Sequence, residues 1–379
     1  MRALDLGALM AVVTLGAVWL AYPLVMGALA RRARRRARPA RGSADPPLSS
    51  VSIVLATRDD PARVRTRVED CLRATNAPTR LEVIVAFDPN SGLELAERSF
   101  PSGGAVRYVR GDEPGGKAAT LNAGVRAASG DVIVFTDTGQ RFQPDAIGAL
   151  VEALRQHDIG AVSGSLELAF PSGGTSLAGH YWRMERWLRK CEAEVYSSVG
   201  VTGAIYAIRK SLWTPLPAGL LLDDLYTPMQ IVLRGYRVGF AEGARAWETR
   251  QPGPSEEYRR KTRTLTGVIQ LCAWLPALLN PARNRLWTQF VFHKLLRFLT
   301  PYCALMIGAW CLARVWPTLT GHTGAWLGPA ATALFCVLAL SGDRAKPLRT
   351  IVAQACVLQV AVIVATFNGL RGRWDVWQK

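Results

Sequence analysis

The chain has 379 residues, 49% of them hydrophobic, and carries a formal net charge of +17. An apolar half joined to that much positive charge points to a membrane protein with a basic face. It argues against a soluble nucleic-acid binder, and no zinc-finger spacing or aromatic–basic RNA motif is present. The four histidines lack metal-ligand spacing, and the seven cysteines make no CxxC pair, so neither a zinc site nor a disulfide framework is expected.

In chain order, the first element is the apolar run Leu6–Ala30, followed at once by Arg31, Arg32, Arg34, Arg35, Arg36, Arg38 and Arg41. In a signal peptide the main charge precedes the apolar core. Here it follows, which marks residues 1–30 as a transmembrane anchor whose far end is cytoplasmic. Anionic membrane lipids would attract the same arginines. Residues 31–50 form a basic linker, rich in Pro, Ala, Gly and Ser from Pro39 to Ser49.

Short apolar runs then alternate with helical stretches. Strands are expected at Ser52–Thr57, Leu81–Asp88, Ala105–Arg110, Asp131–Asp137 and Ile159–Leu168, and helices at Pro61–Ala74, Lys117–Ala128 and Pro144–His157. This order predicts an α/β, Rossmann-like domain over residues 51–264, built on an open, mostly parallel sheet. Ligands of such sheets bind beyond the carboxyl ends of the strands, which singles out Thr57, Asp88 and Asp137.

Leu265–Phe292, flanked by His293 and Lys294, reads as an interfacial helix within residues 265–294. Residues 295–379 contain three segments of spanning or nearly spanning length, Leu295–Val315, Gly324–Ser341 and Ile351–Leu370. Arg344, Lys346 and Arg349 make the loop before the last one basic, but Arg371 and Arg373 follow it. The number of spans and the side of the C-terminus therefore stay open, and Gly324–Ser341 also reads as re-entrant.

Four motifs carry chemistry. Gly115-Gly116-Lys117 opens a helix, so free amides and a lysine converge where an anion can sit. An isolated Gly-Gly-Lys is common, and GxxxxGK[ST] is absent. Asp137-Thr138-Gly139 ends a strand. Asp223-Asp224 precedes Arg234-Gly235-Tyr236, and two adjacent carboxylates raise each other's proton affinity. Arg259–Gly267 is a basic run that also suits a juxtamembrane patch.

GGKAATLNAG followed by SGDVIVFTDTGQRFQPDAI resembles the catalytic domain of glycosyltransferase family 2. More narrowly it is similar to the membrane-bound branch that includes cellulose, hyaluronan and poly-N-acetylglucosamine synthases. The likeness runs from about Ser52 to Gly267. It implies a GT-A type nucleotide-sugar domain flanked by transmembrane helices in a multi-pass protein of the plasma or inner membrane, with catalysis on the cytoplasmic face. The implied reaction is inverting transfer from a nucleotide sugar, with a UDP-sugar expected, to a glycan or lipid-linked acceptor in envelope or exopolysaccharide synthesis.

Carried over by residue, the resemblance gives Thr57, Asp88, Lys117 and Asp137 to the nucleotide sugar. Asp224 becomes the general base, with Asp223 its acidic neighbour, and Arg260, Lys261 and Arg263 hold the diphosphate. The family's Asp-x-Asp also holds Mg2+ or Mn2+. Here Asp137 remains and Gly139 replaces the second carboxylate, with Gln140 or Arg141 as candidates to compensate. Thr264 stands where the family has an acceptor-stacking tryptophan, which favours an alternative reading as a non-processive synthase using a diacylglycerol or polyprenyl acceptor. A degenerate structural subunit of a polysaccharide complex is the rival of a different class. Tyr181, Trp182 and Trp187 are expected to serve as packing.

Overall fold

The computed structural model describes residues 3–36, 48–76, 78, 80–91, 104–168, 177–248, 253–320 and 346–375. Its centre is an eight-stranded sheet of order β3-β2-β1-β4-β7-β6-β8-β5. The strands are β1 (Ser50–Thr57), β2 (Arg80–Phe87), β3 (Val106–Arg110), β4 (Val132–Thr136), β5 (Gln140–Phe142), β6 (Ile159–Leu168), β7 (Tyr206–Arg209) and β8 (Arg237–Glu248).

Strand alternation sorts the core into two layers. Val54, Ile84, Ile133 and Phe135 face α4 (Lys117–Ala127), meeting its Leu121 and Val125. Their sequence neighbours Ile53, Leu55, Val83, Val85, Val132 and Val134 face the other way. There they meet Val64 and Val68 of α3 (Pro61–Leu72) with Ile147 and Leu150 of α5 (Ala146–Leu154). Burial on both faces is why β1, β2 and β4 read as continuous apolar runs. Pro61 and the Asp60 carboxylate, which accepts from Arg63 N at 3.1 Å, start α3.

The sheet is mixed but mostly parallel, as expected: six of its eight strands run one way, and β7 and β5 run against them. β3, β2, β1 and β4 are parallel, and β6 pairs β8 in parallel. β7 is antiparallel to both β4 and β6, and β5 is antiparallel to β8. β7 returns from the far end of the sheet after α6 (Leu177–Val195), and at four residues it has no period of its own. Strand direction here follows from the connection, which local sequence does not encode.

Two further helices complete the domain, α7 (Asp223–Leu233) and α8 (Pro254–Trp274). The predicted interfacial helix is instead broken: after α8 come a 3-10 turn at Pro276–Leu279 and a short α9 (Trp287–Phe290). Pro276 and the Asn280-Pro281 step interrupt it. Its apolar side, with Leu278, Leu286 and Phe290 fully buried, joins the main core.

Two stretches, Ala3–Arg36 and Trp287–Arg314, are long and apolar enough to cross a membrane. The first is α1 (Ala3–Gly16) running through a π turn into α2 (Tyr22–Arg36). The second enters α10 (Thr300–Thr320). The two pack together, with Trp19 donating to Thr300 Oγ1 at 3.1 Å and Asp5 paired to Arg314. Leu9, Met10, Val13, Leu20 and Leu24 on one, and Leu305 and Leu312 on the other, remain exposed. The last expected span falls in α11 (Lys346–Leu370), whose shorter apolar part Cys356–Leu370 packs along α8. Gly324–Ser341, Arg344 and residues 39–47 of the linker lie outside the described residues.

Candidate active site

After β3, Gly115 and Gly116 take φ of 88° and 91°, a conformation that favours glycine, and deliver Lys117 to the first turn of α4. Asp88 shapes this loop from the end of β2. Its Oδ2 accepts from Gly116 N (2.9 Å) and Arg58 Nε (2.7 Å), and its Oδ1 from Asn90 N (3.0 Å). Thr57 Oγ1 accepts from Asp59 N at 2.9 Å. Both side chains are buried, and neither lines the cleft described next.

That cleft, of about 400 Å3, is bounded by the start of α4, the turn after β4, the turn at residues 200–204, and helices α6, α7 and α8. Lys117 Nζ lies 3.2 Å from Asp137 Oδ1 and 3.3 Å from Asp223 Oδ1. Burial opposes the lysine's charge, but Asp137, Asp223 and Asp224 outweigh it and hold its pKa above the ordinary value. Lys117 therefore enters the chemistry as an ammonium.

Asp224, half-buried beside this pair, is shifted the other way. Burial first, then the charges of Asp223 and Asp137, raise its pKa, against the pull of Lys117 and Arg263. A carboxylate with raised proton affinity is suited to take a proton. The turn at 200–204 supports it: a Cβ on Gly203 would lie 3.2 Å from Asp224 Oδ2. At the other end of α7, Gly235 at φ 92° closes the helix.

One buried cation ties the strand end to that turn. Arg67 is fully buried over the Phe142 ring (3.9 Å), is paired to Asp70, and donates to Thr136 Oγ1 at 2.7 Å. The same hydroxyl reaches Ala204 O at 3.0 Å. Arg67 thus fixes the residue before Asp137 and the wall facing it.

The basic run on α8 divides. Arg263 acts electrostatically on Lys117 and Asp224. Lys261 Nζ instead lies 5.1 Å from the Tyr181 ring and 5.8 Å from the Trp182 ring, and Arg260 lies 5.9 Å from Trp182. Tyr181 and Trp182 therefore line the cleft, which corrects their reading as packing alone. Trp187 does pack, against Gly27 of α2.

The model of the family described as "Glycosyltransferase like family 2" matches residues 46–267, more than half of the chain. The chain belongs to this family. It is a glycosyltransferase, and its sheet and cleft are those of a GT-A nucleotide-sugar fold. Mannosyltransferase PcManGT from Pyrobaculum calidifontis, solved with GDP-Man and Mn2+, is similar in fold. It has 20% identity and a TM-score of 0.67, over 97% of this chain and 99% of that one. GalNAc-T7, solved with UDP, GalNAc and Mn2+, matches 59% of this chain and 48% of its own at 16% identity and a TM-score of 0.40. Among curated proteins, none matches this chain.

For this glycosyltransferase, the structure brings Lys117, Asp137, Asp223, Asp224 and Arg263 together, with Arg260 and Lys261 further along the same cleft. Thr57 and Asp88 stand behind the Gly115-Gly116 loop. Among the described residues, no three His, Cys, Asp or Glu side chains converge as a metal site. A divalent cation nonetheless has oxygen donors here. Glu248 Oε1 would lie 3.7 Å from a Cβ on Gly139, so a carboxylate reaches toward the place of the missing one. Beside it, Gln140 donates from Nε2 to Glu248 Oε2 at 2.8 Å, and its buried Oε1 has no partner among the described residues. Carboxylate and amide oxygens are the donors that Mg2+ or Mn2+ takes. Arg141 Nη1 donates back to Gln140 O at 3.1 Å, and Arg141 does not line the cleft.

Sequence reasoning missed Glu248 and Arg67. Glu248 had one legible signal, its place at the end of an apolar alternating run; its pairing opposite Gln140 is a matter of register.

Proposed function

We propose that this glycosyltransferase moves one sugar, with inversion, from a nucleoside-diphosphate sugar to an acceptor hydroxyl at the cytoplasmic face of a membrane. The observation that carries the reading is the Lys117–Asp137–Asp223 cluster with the base-like Asp224 beside it. The acceptor oxygen attacks the anomeric carbon from the face opposite the diphosphate. A new C–O bond forms as the bond to the diphosphate breaks, the electron pair leaves with the nucleoside diphosphate, and the acceptor proton passes to Asp224. Lys117 and Arg263 stabilise the charge that develops on the leaving group. A uridine nucleotide is our expectation for the donor, with Thr57 and Asp88 behind the loop that meets it.

Asp137, Glu248 and the Gln140 amide oxygen would hold Mg2+ or Mn2+, which when bound supplies positive charge to the diphosphate. Two membrane-length helices beside a basic helix end, Arg31–Arg36, support the cytoplasmic placement. Membership of the synthase-like, envelope-polysaccharide branch is part of the same proposal. The purified protein, incubated with nucleotide sugars and a lipid extract, should release nucleoside diphosphate with one donor far above the rest. Release from none, with the fold intact, would refute the transferase reading in favour of a degenerate structural subunit.

A further inference from the structure

The cleft also carries two cations, Arg189 and Lys261, that form no ion pair among the described residues. Arg189 lies on the face of α6 that also bears Tyr181, Trp182 and Glu185, one and two turns away. It lines the cleft, is 8% exposed, and has no hydrogen-bond or ion-pair partner among the described residues; its buried Nε is unsatisfied. Lys261 lines the same cleft from α8, over the Tyr181 and Trp182 rings, and also lacks an ion-pair partner among the described residues.

The obvious counter-charge is already taken. Glu185 is bonded to His293 (2.7 Å), Lys294 (3.2 Å) and Arg297 (2.8 Å). Glu192 is bonded to the other nitrogen of His293 (2.7 Å) and to Tyr22. Burial, and then Arg260, push the Lys261 pKa down, and the charges of Glu257 and Glu185 offset them only in part. A buried guanidinium without a partner is unfavourable unless a ligand supplies the anion.

We infer that Arg189 and Lys261 form a second anion subsite, which binds the phosphate of a lipid acceptor while the sugar donor occupies the Lys117 end. The inference rests on the transferase reading and names the acceptor's chemical class. Arginine's planar fork suits phosphate oxygens. A lipid source follows from position. Lys294 and Arg297 lie within the apolar stretch Trp287–Arg314, α2 packs on α6, and the Trp19 ring of the anchor lies 4.8 Å from the Arg297 guanidinium. The subsite thus adjoins both membrane-length helices, where a phosphate held by acyl or prenyl chains arrives. It differs from the donor site in its partners, since Arg263, not Lys261, acts on Lys117 and Asp224.

The test is binding to the full-length protein in neutral detergent, which needs no turnover. The probes are short-chain phosphatidic acid, the matching diacylglycerol, inorganic phosphate, and UDP or GDP. The wild type should bind phosphatidic acid at least about tenfold more tightly than either diacylglycerol or inorganic phosphate, and less tightly as salt rises. Arg189→Gln should weaken that binding by about tenfold or more and leave nucleotide binding unchanged. Because the substitution removes an unpaired buried charge, its Tm without ligand should equal or exceed that of the wild type. Lys261→Gln is the second variant and should weaken phosphatidic acid in the same way.

Equal binding of diacylglycerol, or unchanged phosphatidic acid binding in both variants, would overturn the subsite. Equal affinity for inorganic phosphate would reduce it to an ion site and overturn the lipid assignment. Loss of nucleotide binding in either variant would give these cations to the donor instead. None of these outcomes depends on transfer, so failure of the transferase reading would show separately, as absent turnover with phosphatidic acid binding intact.

Discussion

At the residue scale, the site is a small set of charges whose roles are set by their neighbours. Lys117 and Asp224 are both drawn toward the protonated state, one by carboxylates and the other by burial and repulsion. Lys117 and the aspartates were legible in sequence because each sits at a strand end or helix start, where local pattern fixes position. Glu248 and Arg189 were not, since they reach the cleft through register and helix packing. Gly139 was legible only as a deficit. Glu248→Gln tests the compensation: it should raise the Mn2+ concentration needed for half-maximal activity by about tenfold, from loss of one carboxylate ligand. Mn2+ binding followed by electron paramagnetic resonance should weaken in parallel. An unchanged Mn2+ affinity would remove Glu248 from the site.

At the element scale, function depends on where short connections hold longer pieces. The parallel half of the sheet could be read from sequence because β1, β2 and β4 are buried on both faces. The antiparallel half could not, because β5 and β7 have three and four residues and take direction from distant chain returns. The turn at 200–204 belongs to that less legible half, yet it backs the base: Thr136 and Arg67 anchor it on one side and Asp224 rests on Gly203. A methyl group at Gly203 would have to displace the Asp224 carboxylate by a few tenths of an ångström. Gly203→Ala should therefore lower kcat about tenfold with donor binding retained, as for small misplacements of a reacting group. A full-rate variant would show that Asp224 tolerates movement.

At the scale of the whole molecule, a nucleotide-sugar domain sits on helices whose apolar sides face outward. The first apolar helix was legible from one feature, an unbroken apolar run; the burial of Leu278, Leu286 and Phe290 was not, because local pattern does not say whether an apolar face meets the core or a membrane. Removing the native cysteines and introducing Arg36→Cys gives a topology test. The new thiol should resist membrane-impermeant maleimide in intact cells and react after permeabilisation; labelling in intact cells would reverse the placement.

The central claim is that Asp224 is the base of sugar transfer, and Asp224→Asn tests it most directly. A carboxyl whose pKa is raised by folding binds protons more tightly in the native state. It contributes stability at low pH that is lost as pH rises through the range above the ordinary carboxylate value. At neutral pH its charge is therefore unfavourable to the fold, and the asparagine variant should melt no lower than the wild type. Measured side by side with the best donor, that variant should bind the nucleotide within about threefold and release about 1,000-fold less diphosphate, the scale of losing a general base. Turnover within about tenfold of the wild type would contradict the account.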